Sequence, residues 1–327
     1  MVGFLVPMTD GTTVMEGVVP AEASGQRLDK VLTGLFPPYS RSQLQQWTKQ
    51  GRITIFGRVP KGRDPVRGGE QVRLEVPPVE PRPWRAQELP LEVVHQDHDI
   101  LVIDKPAGLV VHPGAGNPDS TLANAIIHHY PEQATLPRAG LVHRIDKDTS
   151  GLLVVARTEQ SRAQLILALE RHSVSRIYLA LVNGTPVAGG MVNAPIGRHP
   201  RDRLRMAVSD RGKPAVTHYR VKTRFRSHTL LQVELETGRT HQIRVHMSHA
   251  GYPLVGDPLY GGRLKIPKAA SEVFASTLRQ FSRQALHAFT LALTHPRTGR
   301  SMQWQSPVPA DMEVLLEALE IDKKADR

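Results

Sequence analysis

The hydrophobic residues near the start of the chain recur at spacings that predict a small module of helices and strands. Within Gln26–Phe36 the apolar positions follow a helical period, and the two prolines that come next end this helix. A second helix, ended by Gly51, carries Leu44 and Trp47. Two runs that alternate apolar and polar residues then predict short strands. Their apolar positions are Ile53, Ile55, Val72, Leu74 and Val76.

A proline-rich stretch separates this module from the rest of the chain. Residues 77–90 hold five prolines in fourteen positions, which is typical of a semi-rigid linker. We therefore predict an N-terminal arm over residues 1–23, a small module over 24–76, a linker over 77–90 and a larger domain over 91–327.

The larger domain mixes strand patterns with helical ones. Five apolar or alternating runs predict strands: Ile100–Ile103, Leu152–Ala156, Ile177–Val182, Val216–Val221 and Leu230–Leu235. A helical pattern spans Ser161–Arg171, and a polar, partly helical insert spans Gly262–Gln284. Since strands and helices do not alternate regularly, we predict an α+β fold built on a mixed or antiparallel sheet with flanking helices.

The charge distribution points to a polyanionic partner. The chain carries 42 Lys and Arg against 31 Asp and Glu, a formal net charge of +11. The module at 24–76 has ten basic and four acidic residues, hence +6, and a second basic stretch spans 197–226. The module's helix–helix–strand–strand order resembles the S4 RNA-binding domain, so we expect RNA contacts there; the alternative is a solvated basic face. The cations on or beside its helices are Arg27, Lys30, Arg41, Lys49 and Arg52.

The absence of cysteine narrows the chemistry. A chain without cysteine has no disulfide, no catalytic thiolate and no sulfur-ligated zinc. The first residues lack the basic leader of a signal peptide, and no stretch reaches the eighteen apolar residues of a membrane span. We expect a cytoplasmic protein that does not associate with membranes.

Polar residues are densest in HRIDKDTSG, residues 143–151, directly before a predicted buried strand. Asp146 lies between Arg144 and Lys147, and nearby cations favour the ionised carboxylate. An ionised aspartate serves as a nucleophile or a base rather than as a general acid. The competing interpretation is a turn in which Asp, Thr and Ser cap backbone groups and Gly151 supplies an unusual dihedral angle.

A second polar cluster, ETGRTHQIRVHMSH at 236–249, brings two arginines and three histidines together. A metal site is the alternative to consider, but the spacing matches no metal motif and Glu236 is the only nearby acid. Because Arg239 and Arg244 would repel a cation, arginines directed at a carboxylate or phosphate suit the cluster better.

Three motifs together resemble the RluA family of pseudouridine synthases. HRIDKDTSG resembles the family's central motif, DKPAGLVVHPG at 104–114 its upstream segment, and TGRTHQIRVHM at 237–247 with PLVGDPLYGG at 253–262 its third segment. The S4-like module and GKPAVTHYR at 212–220 resemble the members that act on large-subunit ribosomal RNA. The resemblance runs from about residue 24 to Pro309.

The resemblance implies a role for four residues. The family's catalytic aspartate corresponds to Asp146, and the arginine that helps hold the extruded nucleotide corresponds to Arg144. The tyrosine that packs on the base corresponds to Tyr178, and the basic residue that pairs with the aspartate corresponds to Arg244. Two positions depart slightly from the family pattern: Ile145 stands where Leu is usual, and Ser150 where Thr is common.

The resemblance also implies an isomerase that flips uridines out of RNA and needs no cofactor or metal. By the same resemblance we expect a cluster of uridines in helix 69 of 23S ribosomal RNA, in free RNA or a pre-ribosomal particle, and a monomeric enzyme. Two other classes remain: a non-catalytic RNA-binding or ribosome-assembly protein, in which Asp146 is dispensable, and a metal-dependent nuclease or phosphoesterase, which a chelator inactivates.

Overall fold

The computed structural model describes residues 6–7, 13–37, 39, 41–76, 84–114, 116–202 and 204–325. The chain divides into two compact units, residues 1–82 and 83–327. Among the described residues, every helix is too short or too polar to cross a membrane.

The first unit contains four strands and two α-helices within its described residues. In chain order they are β1 (Val6–Pro7), β2 (Thr13–Val18), α1 (Leu28–Leu35), α2 (Arg41–Lys49), β3 (Ile53–Ile55) and β4 (Gln71–Val76). The strands form an antiparallel sheet in the order β1-β2-β4-β3. The helices and the two later strands lie where the apolar spacing predicts them.

The predicted arm requires a correction. Thr13–Val18 pairs along its whole length with β4, and Met15 and Val19 are buried in the unit's core. Residues 13–23 therefore belong to the module, because their apolar side chains complete a core that also contains Leu28, Leu32 and Val72. Residues 1–5 and 8–12 lie outside the described residues.

The predicted linker also differs in part from the structure. Residues 77–83 lie outside the described residues, whereas residues 84–90 pack on the second unit. Trp84 packs against the second unit's core. Asn124 donates to the carbonyl of Arg85 at 2.7 Å, and the amide of Gln87 donates to the carbonyl of Asn124 at 3.1 Å. These contacts anchor the second unit's first residues beside a helix.

The second unit contains eleven strands and five α-helices within its described residues. Its first elements are β5 (Glu92–Gln96), β6 (Ile100–Lys105), α3 (Leu122–His129), β7 (Ser150–Ala156), α4 (Glu159–Glu170) and β8 (Ser175–Asn183). Then follow β9 (Gly190–Asn193), β10 (Ile196–Arg198), β11 (Met206–Val208), β12 (Val216–Arg224), β13 (His228–Leu235) and α5 (Gln242–His249). The last are α6 (Glu272–Gln280), β14 (Leu286–Thr294), β15 (Ser301–Gln305) and α7 (Ala310–Ala325).

A nine-stranded mixed sheet is the centre of this unit, within the described residues. Its order is β5-β6-β7-β14-β8-β13-β12-β9, and β15 pairs with the far end of β14. Neighbours are antiparallel except β7 and β14, which run parallel over Ser150–Gly151 and His287–Ala288. The predicted α+β class and mixed sheet are confirmed.

Both faces of the central strands are covered, which explains their unbroken apolar runs. Alternate residues of β6 point to opposite sides: Leu101 and Ile103 pack with α3 and α5, whereas Ile100 and Val102 pack with α4. Tyr178 lies on the α3 and α5 side. The sheet therefore places the start of β7, the middle of β8 and the start of α5 close to one another.

Gly151 is required where β7 meets β14. Its φ is +109°, and a Cβ there would lie 2.3 Å from the carbonyl oxygen of Ala288. We expect Gly151→Ala to lower the free energy of unfolding by at least about 2 kcal/mol, through backbone strain and a displaced strand. Urea-induced unfolding measures this loss.

Gly299→Ala is the matched control for this substitution. Gly299 has a φ of +70° with open space around the added Cβ, so Ala there adds backbone strain without a clash. We expect a loss of about 1 kcal/mol. Equal stability of the two variants would contradict the close approach at Gly151.

Candidate active site

Asp146 lies in the turn that leads into β7. The amide of Thr149 donates to the carbonyl of Asp146 at 3.1 Å and closes the turn. The carbonyl of Lys147 accepts two hydrogen bonds from the 104–114 segment, from the amide of Gly108 at 2.9 Å and from the Lys105 ammonium at 2.8 Å. Two of the three motifs are thus joined directly beside the aspartate.

Lys105 is fully buried, and its environment is unusual for a lysine. Burial lowers the pKa of Lys105 to about 7, although the charges of Asp148 and Asp146 oppose this shift. Its ammonium also donates to the carbonyl of Pro106 at 2.6 Å. Lys105 therefore holds two backbone segments together at the base of the turn.

His143 fastens the other side of the segment. The amide of Val154 donates to Nε2 of His143 at 3.0 Å, so this nitrogen must be an acceptor and the ring is neutral. Desolvation lowers the pKa of His143 to about 3, which agrees with a neutral ring. His143, the first residue of the motif, therefore holds this segment to the backbone of β7.

Arg244 reaches the aspartate from the first turn of α5. Its Nη1 donates to Oδ2 of Asp146 at 3.1 Å, although the two residues are 98 positions apart. The Arg244 side chain is 5% exposed and that of Asp146 is 17% exposed. The fold thus brings together the two residues that the sequence analysis paired, in a setting with little water.

Asp257 binds the other side of the Arg244 guanidinium. Nε of Arg244 donates to Oδ2 of Asp257 at 2.7 Å and Nη2 donates to Oδ1 at 2.9 Å, a bidentate pair. Asp257 has a fully buried side chain, and its Oδ1 also accepts from the amides of Leu259 and Tyr260 at 2.9 and 3.0 Å. Arg244 is consequently fixed between two carboxylates.

The charge states follow from these contacts. Burial would lower the pKa of Arg244, but the hydrogen bonds and charge of Asp257 and the charge of Asp146 outweigh it, so the pKa is raised. Burial would likewise raise the pKa of Asp257, yet its hydrogen bonds with Arg244 bring it below the usual value. Arg244 is therefore cationic in this site.

Tyr178 lies beside Asp146 in one cleft. The two residues line it together with Arg176, His241, Arg244 and Leu286, and we call this space the Asp146 cleft. Tyr178 is 6% exposed, and burial raises the pKa of its phenol, although the nearby Arg176 opposes the shift. The ring is thus a neutral, apolar surface with a polar edge next to the carboxylate.

His241 and Tyr260 complete the surroundings of the ion pairs. His241 has a left-handed φ of +57° at the start of α5, and its Nε2 lies 4.0 Å from Oδ1 of Asp146. The Tyr260 hydroxyl lies 2.8 Å from Nδ1 of His241, and its ring packs over the Arg244 guanidinium at 5.0 Å. Burial lowers the pKa of His241, against the charge of Asp146.

The remaining predicted site residues are Arg144 and the five cations of the first unit. Arg144 is exposed at the rim of the Asp146 cleft. The five predicted cations of the module lie in the first unit, where Arg27 and Arg41 both pair with the buried Asp29, at 3.1 and 2.7 Å. The hydrogen bond from Arg41 has the largest effect, and together with that from Arg27 it lowers the pKa of the Asp29 carboxyl to about 2. Lys30 and Lys49 are exposed, and Arg52 is half-buried.

The histidines of residues 236–249 do not converge on a single point. His241 faces Tyr260, whereas His246 contacts Thr217 and the carbonyl of Ala194. Within the described part of the chain, one other group has three potential metal ligands in reach of one another: Asp97, Asp99 and His295. There, Asp97 already pairs with His95 and His295, and Asp99 with Arg297.

Sequence reasoning did not single out Asp257, His241 or Arg176 as site residues. Asp257 lies within PLVGDPLYGG, but the family resemblance assigns no role to this acid. The sequence presents His241 only as a possible metal ligand. Arg176 is two residues before Tyr178 on β8, and since neighbours at i and i+2 share a face of a strand, this spacing was the available signal.

Comparisons with known proteins identify the family of this chain. Residues 99–249 match the RNA pseudouridylate synthase family. A ribosomal large subunit pseudouridine synthase D from Pseudomonas aeruginosa is 56% identical over 307 residues, covering 94% of this chain and 96% of the relative. The protein of that name from Escherichia coli strain K12 is 53% identical, covering 91% and 92%.

A solved structure shares the fold. Human RNA pseudouridylate synthase domain containing 4 superimposes with a TM-score of 0.57 at 26% identity, over 70% of this chain and 93% of the human chain. Together with the bacterial relatives, which match almost from end to end, this likeness shows that the chain belongs to the RNA pseudouridylate synthase family.

Proposed function

We propose that this enzyme converts uridines of 23S ribosomal RNA, the cluster in helix 69, to pseudouridine, with Asp146 as its nucleophile or base. The names of the bacterial relatives support large-subunit ribosomal RNA as the substrate. The observation that carries the mechanism is the half-enclosed Asp146 carboxylate, paired with Arg244 and adjoining Tyr178 in one cleft.

The reaction is an isomerisation in which one bond replaces another. The C1′–N1 bond of the uridine breaks, uracil turns within the cleft, and C5 forms the new bond to C1′. The proton on C5 is then lost and N1 gains one, so atoms and electrons balance without a redox partner. Two routes use a single carboxylate: Asp146 attacks C1′, or it removes the proton from C2′ to form a glycal.

The surroundings of Asp146 suit either route. The uridine must leave its stack to reach the cleft, at a cost of roughly a few kcal/mol, which contacts with RNA phosphates offset. Arg244 donates to the carboxylate and fixes its direction, because Asp257 holds the guanidinium from the other side. Tyr178 offers a flat face on which the detached uracil stacks while it turns.

The first unit and the rim of the cleft supply the RNA contacts in this proposal. Arg27, Lys30, Arg41, Lys49 and Arg52 are the module's candidate phosphate ligands, and Asp29 holds two of them in fixed positions. Arg144 is placed to contact the extruded nucleotide or the strand it leaves. We further propose a monomer that acts in the cytoplasm on RNA or on a pre-ribosomal particle, without a metal or cofactor.

Asp146→Asn should fold and bind RNA but form no pseudouridine, because the amide keeps the shape and loses the charge. Mapping pseudouridines in 23S ribosomal RNA from cells with the gene, without it and with the variant tests both substrate and residue. Asp148→Asn, which removes the same charge two positions away, is the control and should retain turnover. Asp146→Asn turnover within tenfold of wild type would exclude the nucleophile assignment.

The Arg244 and Asp257 contacts predict a graded series. Arg244→Lys keeps the charge but loses the planar fork and should be impaired, while Arg244→Met should be nearly inactive, since breaking a buried pair costs about 3–5 kcal/mol. Asp257→Asn should lower the single-turnover rate about 10- to 100-fold with little change in RNA affinity. Thermal unfolding of each variant separates lost chemistry from lost structure.

A different result of this series would contradict a catalytic role for Arg244. If Arg244 only gripped a phosphate, Arg244→Met would weaken RNA binding and saturating RNA would restore the single-turnover rate. Asp257→Asn would then change affinity rather than rate.

Removing residues 1–82 should leave a folded second unit, because the chain divides there into two compact units. RNA affinity should fall, and the slope of log affinity against log salt should flatten as phosphate contacts are lost. In the full chain, Lys30→Gln with Lys49→Gln should reduce the slope by about 2. An unchanged slope in both proteins would show that the module's charge is only a solvated face.

A further inference from the structure

Within the part of the chain that the structure describes, Arg176 is a buried arginine without a partner. It is 8% exposed, lies on β8 and points to the same side of the sheet as Tyr178. Among the described residues no carboxylate lies within 4.0 Å of its guanidinium, and its buried Nε has no hydrogen-bond acceptor. A guanidinium stays protonated even when buried, so this site holds an uncompensated positive charge.

Three other shielded arginines of this unit are paired with carboxylates, whereas Arg205, whose buried Nε also lacks an acceptor, packs over the Tyr260 ring. Arg244 lies between Asp146 and Asp257, Arg157 pairs with Glu132, and Arg283 pairs with Asp311. Because an isolated buried charge is costly, these pairs are the expected arrangement. Arg176 departs from it at a position beside the catalytic aspartate, which suggests that its partner arrives with the substrate.

The Asp146 cleft shares three of its arginines with a second basic space. We call it the arginine groove; it is lined by His112, Arg138, Arg144, Glu170, Arg176 and Arg239. Arg144, Arg176 and Arg239 border both spaces, and Glu170 is the groove's only acid within the described residues. The opening of the cleft is thus bordered by three guanidinium groups, which is an environment for an anion.

Gly238 makes room for the Arg176 side chain. A Cβ on Gly238 would lie 2.9 Å from Nη1 of Arg176, and the backbone at Gly238 is not in the left-handed region. A larger residue here would therefore displace the end of the Arg176 side chain rather than strain the backbone. The position of the Arg176 guanidinium therefore depends on the TGRTHQ segment as well as on β8.

We propose that Arg176 binds a phosphate of the RNA backbone at the nucleotide that enters the Asp146 cleft. This inference rests on the proposed function, since it needs a uridine at Asp146. The phosphates are the anions of RNA, and a full negative charge compensates a buried guanidinium in a way that a neutral uracil carbonyl does not. Arg144 and Arg239 extend the same contact along the groove.

The arrangement ties backbone recognition to base recognition. Arg176 and Tyr178 are two residues apart on one face of one strand, so their separation is set by the sheet. A phosphate held by Arg176 would place the attached ribose and base near Asp146 and Tyr178 in one register. Arg176 then contributes to positioning as well as to affinity.

The test is a double-mutant cycle between Arg176 and individual phosphates. The probe is a synthetic stem-loop around a uridine that the mapping identifies, with one phosphate at a time replaced by a neutral methylphosphonate. Binding is measured in the Asp146→Asn background, so that no turnover occurs. Arg176→Met should weaken binding about 10- to 100-fold and reduce the salt slope by about 1. Neutralising one phosphate beside the uridine should then cause no further loss.

Two variants keep the result interpretable. Gly238→Ala retains the charge and displaces the Arg176 side chain, so it should lose the same coupling while the protein remains folded. Arg300→Met removes an exposed positive charge outside both spaces and should keep the full methylphosphonate effect.

Each outcome decides the question. If every methylphosphonate weakens the Arg176→Met protein as much as the wild type, Arg176 is not a phosphate ligand and the proposal is overturned. If coupling instead appears only when a uracil carbonyl is removed, the base is its partner and the proposal is likewise overturned. A stem-loop that is bound with this coupling but never modified by the wild-type enzyme would reject the proposed substrate and leave the phosphate contact standing.

Discussion

The proposed active site depends on one buried arginine shared by two carboxylates. Arg244 donates two hydrogen bonds to Asp257 and one to Asp146, and its side chain is 5% exposed. The difference between the partners is important. Asp257 is enclosed and saturated by backbone amides, whereas Asp146 is bound through one oxygen and borders an open cleft. The first carboxylate fixes the cation, and the second is the one that reacts in the proposed mechanism.

This arrangement explains why the site needs the large sheet. The turn before β7 supplies Asp146, β8 supplies Tyr178, and α5 supplies Arg244. None of these segments could hold its side chain alone. The turn is fastened by the Lys105 ammonium and by His143, which bind backbone groups, and Gly151 lets β14 approach the strand that follows. Rigid backbone around one reactive carboxylate is what preorganised catalysis requires.

Hydrophobic spacing predicted much of the fold because the sheet's central strands are buried on both faces. The strands at Ile100–Ile103 and Leu152–Ala156 were predictable for this reason, and the chain's α+β class followed. Strand β2 was missed, since Glu16 and Gly17 interrupt the apolar pattern of Thr13–Val18 and the segment is held as a strand by its pairing with β4. The motif resemblance indicated Asp146, Tyr178 and Arg244, but Asp257 was passed over because its importance lies in a bidentate contact, which no local pattern reveals.

The two buried arginines near Asp146 have opposite electrostatic surroundings. Arg244 is paired with two carboxylates inside the protein, so its position and its charge compensation do not depend on a bound anion. Arg176 has none among the described residues, so the folded state carries an electrostatic deficit until an anion binds. An RNA phosphate that removes this deficit gains more at this point than at an exposed lysine, where water already solvates the charge. If Arg176 binds a phosphate as proposed, the uncompensated charge favours RNA bound in the register that brings a uridine to Asp146 over RNA bound elsewhere on the basic surface.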